Sequence, residues 1–241
     1  MRRSPFLLAL LLVLSATPAG AGAPDVQQVM ALGAACEDTA RADSAFHALG
    51  QVIATTTDSF PIAYCHYLRF RAARTLGRLD AMQASADTAV LFAPDNPRPF
   101  LELARTFAAR DVRLGVAEDY ARRAVETAAR GHDSHLSGWS LAVLGIVQVA
   151  RHDEAHAVDA LRRSLSFAYA DSQKTFLLLG KVCSTLGQRG PALDAYLRGV
   201  AVYRGDSTRV REARPVLDSL YRAEHGSLEG LASLVRRARE A

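Results

Sequence analysis

Residues 176–202 read FLLLGKVCSTLGQRGPALDAYLRGVAV, and small and large side chains alternate along them at helical spacing. Gly180, Ala192 and Gly199 are small, Phe176 and Tyr196 are bulky, and Gly187 stands where a turn belongs. Two antiparallel helices approach closely only where side chains are small, and the aromatic rings then fill the space beside the approach. The same order can be laid over three earlier stretches. The third carries Leu141, Leu144, Gly145, Ala157, Leu161 and Ser164. The second carries Phe100, Leu103, Ala104, Phe107, Ala121 and Ala124, with one residue inserted at its turn. The first has Gly77, Ala86, Ala89 and Pro94, but Arg69 and Phe70 where leucine and a small residue are expected. A unit repeated in series confines the chain to stacked helix pairs, because each pair buries its apolar face only against its neighbours.

This pattern resembles the tetratricopeptide repeat, and with the leader described below it is similar to exported bacterial members of that family. The resemblance covers residues 61–204 as four repeats. It implies an all-α fold, an α-solenoid of antiparallel helix pairs wound as a right-handed superhelix. Residues 24–60 lack the small-residue pattern and read as a capping helix pair, and residues 205–241 as C-terminal helices. Breaks at Pro61, Gly77, 94–97, Gly131 to Ser134, 171–172, Gly187, 205–206 and 226–227 divide the chain into about a dozen helices. Gly226 suits a helix C′ position and Ser227 the following N-cap, while Pro215 calls for a kink or for a helix start near Arg214.

The first residues are a separate matter. Arg2 and Arg3 precede an apolar run from Phe6 to Leu14, then small residues around Ala19, Ala21 and Ala23. That order reads as a secretory signal peptide over residues 1–23, cleaved after Ala21 or Ala23, and the run is too short to span a bilayer. The mature chain is then expected to be exported, periplasmic or secreted, with no membrane insertion. Without Arg2 and Arg3 the formal charge falls from +4 to +2, a near-balance that argues against nucleic acid as a partner. Cys36, Cys65 and Cys183 fit no zinc spacing. An oxidising compartment permits a disulfide, and Cys36 with Cys65, both in the N-terminal helical region, is then the more plausible pair, the alternative being three buried free thiols.

The stretch RHDEAH, residues 151–156, raises the question of a zinc helix. In that motif both histidines share a helical face and glutamate follows the first. Here Asp153 follows His152, and the repeat register puts His152 at the turn occupied elsewhere by Gly77 and Gly187. Asp153 becomes the N-cap, leaving only His156 on the helix. His132 and His135 fall at another turn. No nucleophile elbow, phosphate loop or dinucleotide fingerprint occurs, so no catalytic, metal or cofactor-binding residues are expected and the chain does not read as an enzyme.

The expected site is a partner-binding groove. The resemblance implies that the first helix of each pair lines a concave surface that takes a protein or peptide. Projected on this sequence, that surface carries Tyr64, Tyr67, Arg71 and Arg74, then Arg98 and Arg105, then Trp139, then Lys174 and Lys181. Aromatic and cationic side chains favour an acidic partner. The family members that grip a C-terminal carboxylate use asparagines with lysines. The corresponding positions here are Arg71, Arg105, Ile146 and Lys181, without asparagine. A second expectation comes from the tail, which looks similar to the stretch joining helical repeats to a thioredoxin-like domain. It makes the chain a helical accessory or truncated half of an exported redox protein whose catalytic domain lies outside it.

Overall fold

The computed structural model describes residues 25–167, 172–202 and 208–240. The expected signal peptide lies outside them. The described residues form twelve helices and no strand. In chain order they are α1 Val26–Ala35, α2 Ala42–Thr55, α3 Ser59–Thr75, α4 Leu79–Phe92, α5 Arg98–Ala109 and α6 Leu114–Arg130. The rest are α7 Ser134–Ala150, α8 Glu154–Ser164, α9 Ser172–Thr185, α10 Arg189–Val202, α11 Thr208–His225 and α12 Leu231–Glu240. The chain divides into two compact units, residues 1–106 and 107–241, with the division inside α5.

The turns within four helix pairs, α3–α4, α5–α6, α7–α8 and α9–α10, are closed in one way. At positions 77, 111, 152 and 187 the chain takes a positive φ, as Gly77 (73°), Asp111 (53°), His152 (59°) and Gly187 (71°). The next N–H reaches back to a carbonyl of the preceding helix: Arg78 to Ala73 at 2.9 Å, Val112 to Phe107 at 3.1 Å, Asp153 to Gln148 at 2.9 Å and Gln188 to Cys183 at 2.9 Å. This is the Schellman closure, in which a left-handed residue lets the chain reverse while the last helical carbonyls stay bonded. The following helix begins two residues after the turn residue in three pairs. In the second it begins at Leu114, one residue later, where Arg113 also has positive φ (50°). That is the inserted residue.

Within the second unit the small residues do what their spacing predicts. A Cβ added to Gly145 on α7 would stand 2.7 Å from Leu161 Cδ2 on α8. One added to Gly180 on α9 would stand 2.8 Å from Tyr196 Cδ2 on α10, and one on Gly199 2.6 Å from Leu177 Cδ2. Real Cβ contacts do not come that close, so these helices are nested to the limit that hydrogen side chains permit. Ala124 is fully buried, its carbonyl accepting from Ser140 Oγ on α7 at 3.4 Å.

The first unit solves the same problem in the opposite sense. Phe70 holds the register of Gly145 and Gly180, and Ala86 that of Leu161 and Tyr196; both are fully buried. The large residue has moved to α3 and the small one to α4, which accounts for the departure in the sequence pattern. The N-terminal pair joins this unit through Val29, Cys36, Leu49, Val52, Cys65 and Leu68, a single buried cluster.

The structure decides between two pairs of alternatives and corrects one expectation. Of bridge and free thiols, Cys36 and Cys65 are free thiols in that cluster. Of the two readings of Pro215, a helix start near Arg214 falls: α11 runs from Thr208 through it to His225. Gly226 (φ 76°) does end α11, but Ser227 is not the next N-cap. Ser227 Oγ accepts from Glu229 N–H in a short turn, and α12 follows Gly230, whose φ is 86°.

Candidate functional site

The nine residues expected to line a groove fall into separate settings. Tyr64 is only 8 % exposed and belongs to the α1–α3 core, so it supports the fold rather than facing a partner. Burial pushes its hydroxyl pKa up, with Arg71 opposing. Trp139 is half-buried on α7, and Arg105 is exposed on α5.

Tyr67, Arg71 and Arg74 come together on α3, joined by two carboxylates that sequence reading did not single out. Tyr67 Oη donates to Glu102 Oε1 at 2.5 Å, and Arg74 Nη1 donates to Glu102 Oε2 at 2.6 Å. Arg74 Nη2 donates to Glu37 Oε1 at 3.1 Å, and Arg71 Nε to the same oxygen at 2.8 Å. Glu37 just beyond α1 and residues of α3 and α5 are thus tied into one network. The Glu102 side chain is 15 % exposed and the Glu37 side chain 45 %, so the Glu102 end is the stronger. Burial raises the Tyr67 pKa, and Glu102 adds to the rise while Arg71 and Arg98 oppose it. Burial disfavours charge on Arg71, but Glu37, Tyr67 and Glu102 outweigh it and the net shift is upward. This face therefore binds carboxylates, and those it holds belong to its own chain.

Lys174 and Lys181 are exposed on α9, where they border a cleft of about 390 Å³ in the second unit. Its floor is Leu177, Leu178, Tyr196, Ala213 and Val216. Arg209 and Glu212 of α11 complete the rim. Residues 174, 177, 178 and 181 share one face of α9, and 209, 212, 213 and 216 share one face of α11, by the three-and-four spacing of a helix. The α11 half was missed because that helix lies beyond the recognisable repeats.

The histidine motif is placed as the repeat register requires. His152 occupies the left-handed turn and is exposed, while His156 lies on α8. Asp153 caps α8 by accepting from His156 N–H at 3.4 Å, and its Oδ1 lies 2.8 Å from His156 Nδ1. The His156 hydrogen bond holds the Asp153 carboxyl below its ordinary value. Asp153 is thus a helix cap and a partner for one imidazole. Among the described residues no group of three His, Cys, Asp or Glu is placed to hold a metal, and no helix is long and apolar enough to cross a membrane. The thiols are poor nucleophiles: burial pushes Cys36 and Cys65 from 9.0 to about 11, and also raises Cys183.

Helix pairs with a recurring closure and recurring small-residue contacts define an all-α protein of tetratricopeptide-like repeats. No family model matches the chain, and no curated protein matches its sequence. Solved structures share its fold. The apo quorum sensor NprR from B. thuringiensis is 11 % identical with a TM-score of 0.62, over 96 % of this chain and 68 % of that one. MamA is 18 % identical with a TM-score of 0.54, over 74 % of this chain and 90 % of that one. PilW, a type IV pilus biogenesis factor, is 15 % identical with a TM-score of 0.55, over 88 % of this chain and all of that one.

Proposed function

We propose that the protein is an exported, non-catalytic scaffold that holds a protein or peptide partner on the faces of its first helices. The observation that carries this reading is the α9 cleft, where two lysines named from the repeat register border an open apolar floor. Apolar floors with charged rims are the usual anatomy of protein-binding surfaces. The fold supports the reading in kind, since stacked helix pairs offer extended binding surfaces. The buried, hard-to-ionise thiols favour a binding role over redox chemistry at the chain's own cysteines. Acid preference is assigned to the second unit, where Lys181 and Arg209 are exposed beside the apolar floor, while the arginines of α3 hold Glu37 and Glu102.

The reading is tested by capture from the exported fraction with the tagged full chain. Proteins retained by the native chain are expected to be lost with Lys174→Glu plus Lys181→Glu, both exposed changes that leave the fold intact. An unchanged set of captured proteins removes the α9 face from consideration. Recovery of the tagged chain only from the cytoplasm, leader uncleaved, contradicts export.

A further inference from the structure

We infer that α11 is half of the partner site, and that the α9–α11 cleft takes an apolar side chain flanked by carboxylates. The inference rests on the scaffold reading and specifies its partner.

The chemistry of the lining carries it. Leu177, Leu178 and Tyr196 on one side and Ala213 and Val216 on the other form an apolar trough, and Val216 is 38 % exposed, more than a packed valine usually is. A trough of this size accommodates a side chain or two, within the range of natural ligand pockets. Its rim holds three cations, Lys174, Lys181 and Arg209, against one carboxylate, Glu212. Lys174 and Lys181 are two helical turns apart, about 10 Å at 1.5 Å per residue, so they stand near opposite ends of the apolar floor. An occupant matched to that layout places its apolar group in the middle and its negative charges outside. A purely acidic strand leaves the floor uncovered, and a purely apolar one leaves the cations facing hydrocarbon.

Arg209 lies in the first turn of α11, and Glu is favoured there by the helix dipole, so Arg209→Glu reverses the rim charge without weakening the helix. Val216→Asp places a charge on the floor at an already exposed position.

The test is fluorescence anisotropy of the full chain with a labelled twelve-residue peptide carrying two leucines flanked by glutamates. Companion peptides replace the glutamates by glutamine or the leucines by alanine. The native chain is expected to bind the first at least tenfold more tightly than either companion. Arg209→Glu and Val216→Asp are each expected to weaken it at least fivefold, and Glu212→Gln to tighten it. Equal binding of the leucine and alanine peptides means a cationic surface only, and overturns the proposal. So does binding indifferent to the α11 changes, or no peptide binding at all. Concentration-dependent self-association abolished by Val216→Asp assigns the trough to a second copy and also overturns it. If peptide binding fails while capture still depends on Lys174 and Lys181, the scaffold reading stands and the partner chemistry falls. If capture is indifferent to those lysines, the scaffold reading itself falls.

Discussion

Gly180 on α9 lies directly under the ring of Tyr196 on α10, so close that a Cβ at position 180 would stand 2.8 Å from Cδ2 and 2.9 Å from Cγ. The aromatic ring is stiff and half of a buried interface, so it has little room to yield. Gly180→Ala gains up to about 1 kcal/mol of helix propensity but suffers overpacking of about 1–3 kcal/mol. A net loss is expected in urea titration. Adding Tyr196→Leu, a smaller and more adaptable side chain, is expected to reveal a coupling above about 0.5 kcal/mol in the double-mutant cycle.

His152 holds a left-handed conformation that its counterparts Gly77 and Gly187 take without strain. A non-glycine residue there costs about 1–2 kcal/mol, partly offset by the lower chain entropy it has when unfolded. His152→Gly is therefore expected to raise stability by about 0.5–1 kcal/mol, and Gly187→Ala to lower it by about 1 kcal/mol. Thermal unfolding of the two variants checks the opposed signs.

The carboxylates of the α3 network are not equal. Glu102→Ala strips a half-buried Tyr67 hydroxyl of the acceptor at 2.5 Å and removes one of the carboxylates holding Arg74, which predicts a loss of about 1–3 kcal/mol. Glu37 is far more exposed, so Glu37→Ala is expected to cost no more than about 1 kcal/mol. Chemical denaturation of both variants tests the ranking.

Alkaline pH should destabilise the first unit. The Cys36 and Cys65 thiols ionise near 9.0 in the unfolded chain but only at about 11 when buried, and Tyr67 is likewise held protonated. The folded state binds more protons than the unfolded one above that lower value. Stability is thus fully present below about pH 9 and lost as pH rises toward 11. Cys36→Ala plus Cys65→Ala is expected to flatten the decline between those values, leaving the Tyr67 contribution above about pH 10.

Much of the architecture was legible because it is periodic. Aligning Gly77 with Gly187 put His152 at a turn and Asp153 at a cap, and the structure agrees in φ and in hydrogen bonding. Phe70 was legible only as an anomaly, since its compensation by Ala86 lies on the partner helix. The Glu37–Arg71–Arg74–Glu102 network joins residues far apart in sequence with no repeat to announce them. Tyr64 shares helical spacing with Tyr67 yet lies deeper, because α1 and α2 pack over that side of α3. The α11 rim was hidden for a similar reason: Arg209 and Val216 belong to a helix with no repeat signature. Of the two readings that Pro215 allowed, only the helix start is excluded, because one missing N–H does not end a helix.

Gly145, Gly180 and Gly199 are glycines because a neighbouring side chain occupies the space a Cβ would take. The most direct measurement is the unfolding free energy of four single alanine variants under identical conditions. Gly145→Ala and Gly199→Ala drive a Cβ to 2.7 and 2.6 Å from leucine side chains, whereas Gly115 and Gly190 have nothing within 4 Å. The first two are expected to be destabilised by about 1–3 kcal/mol, and Gly115→Ala and Gly190→Ala to be neutral or stabilised by a few tenths. Four variants that all gain stability, or all lose it alike, would contradict the nested packing of these helix pairs.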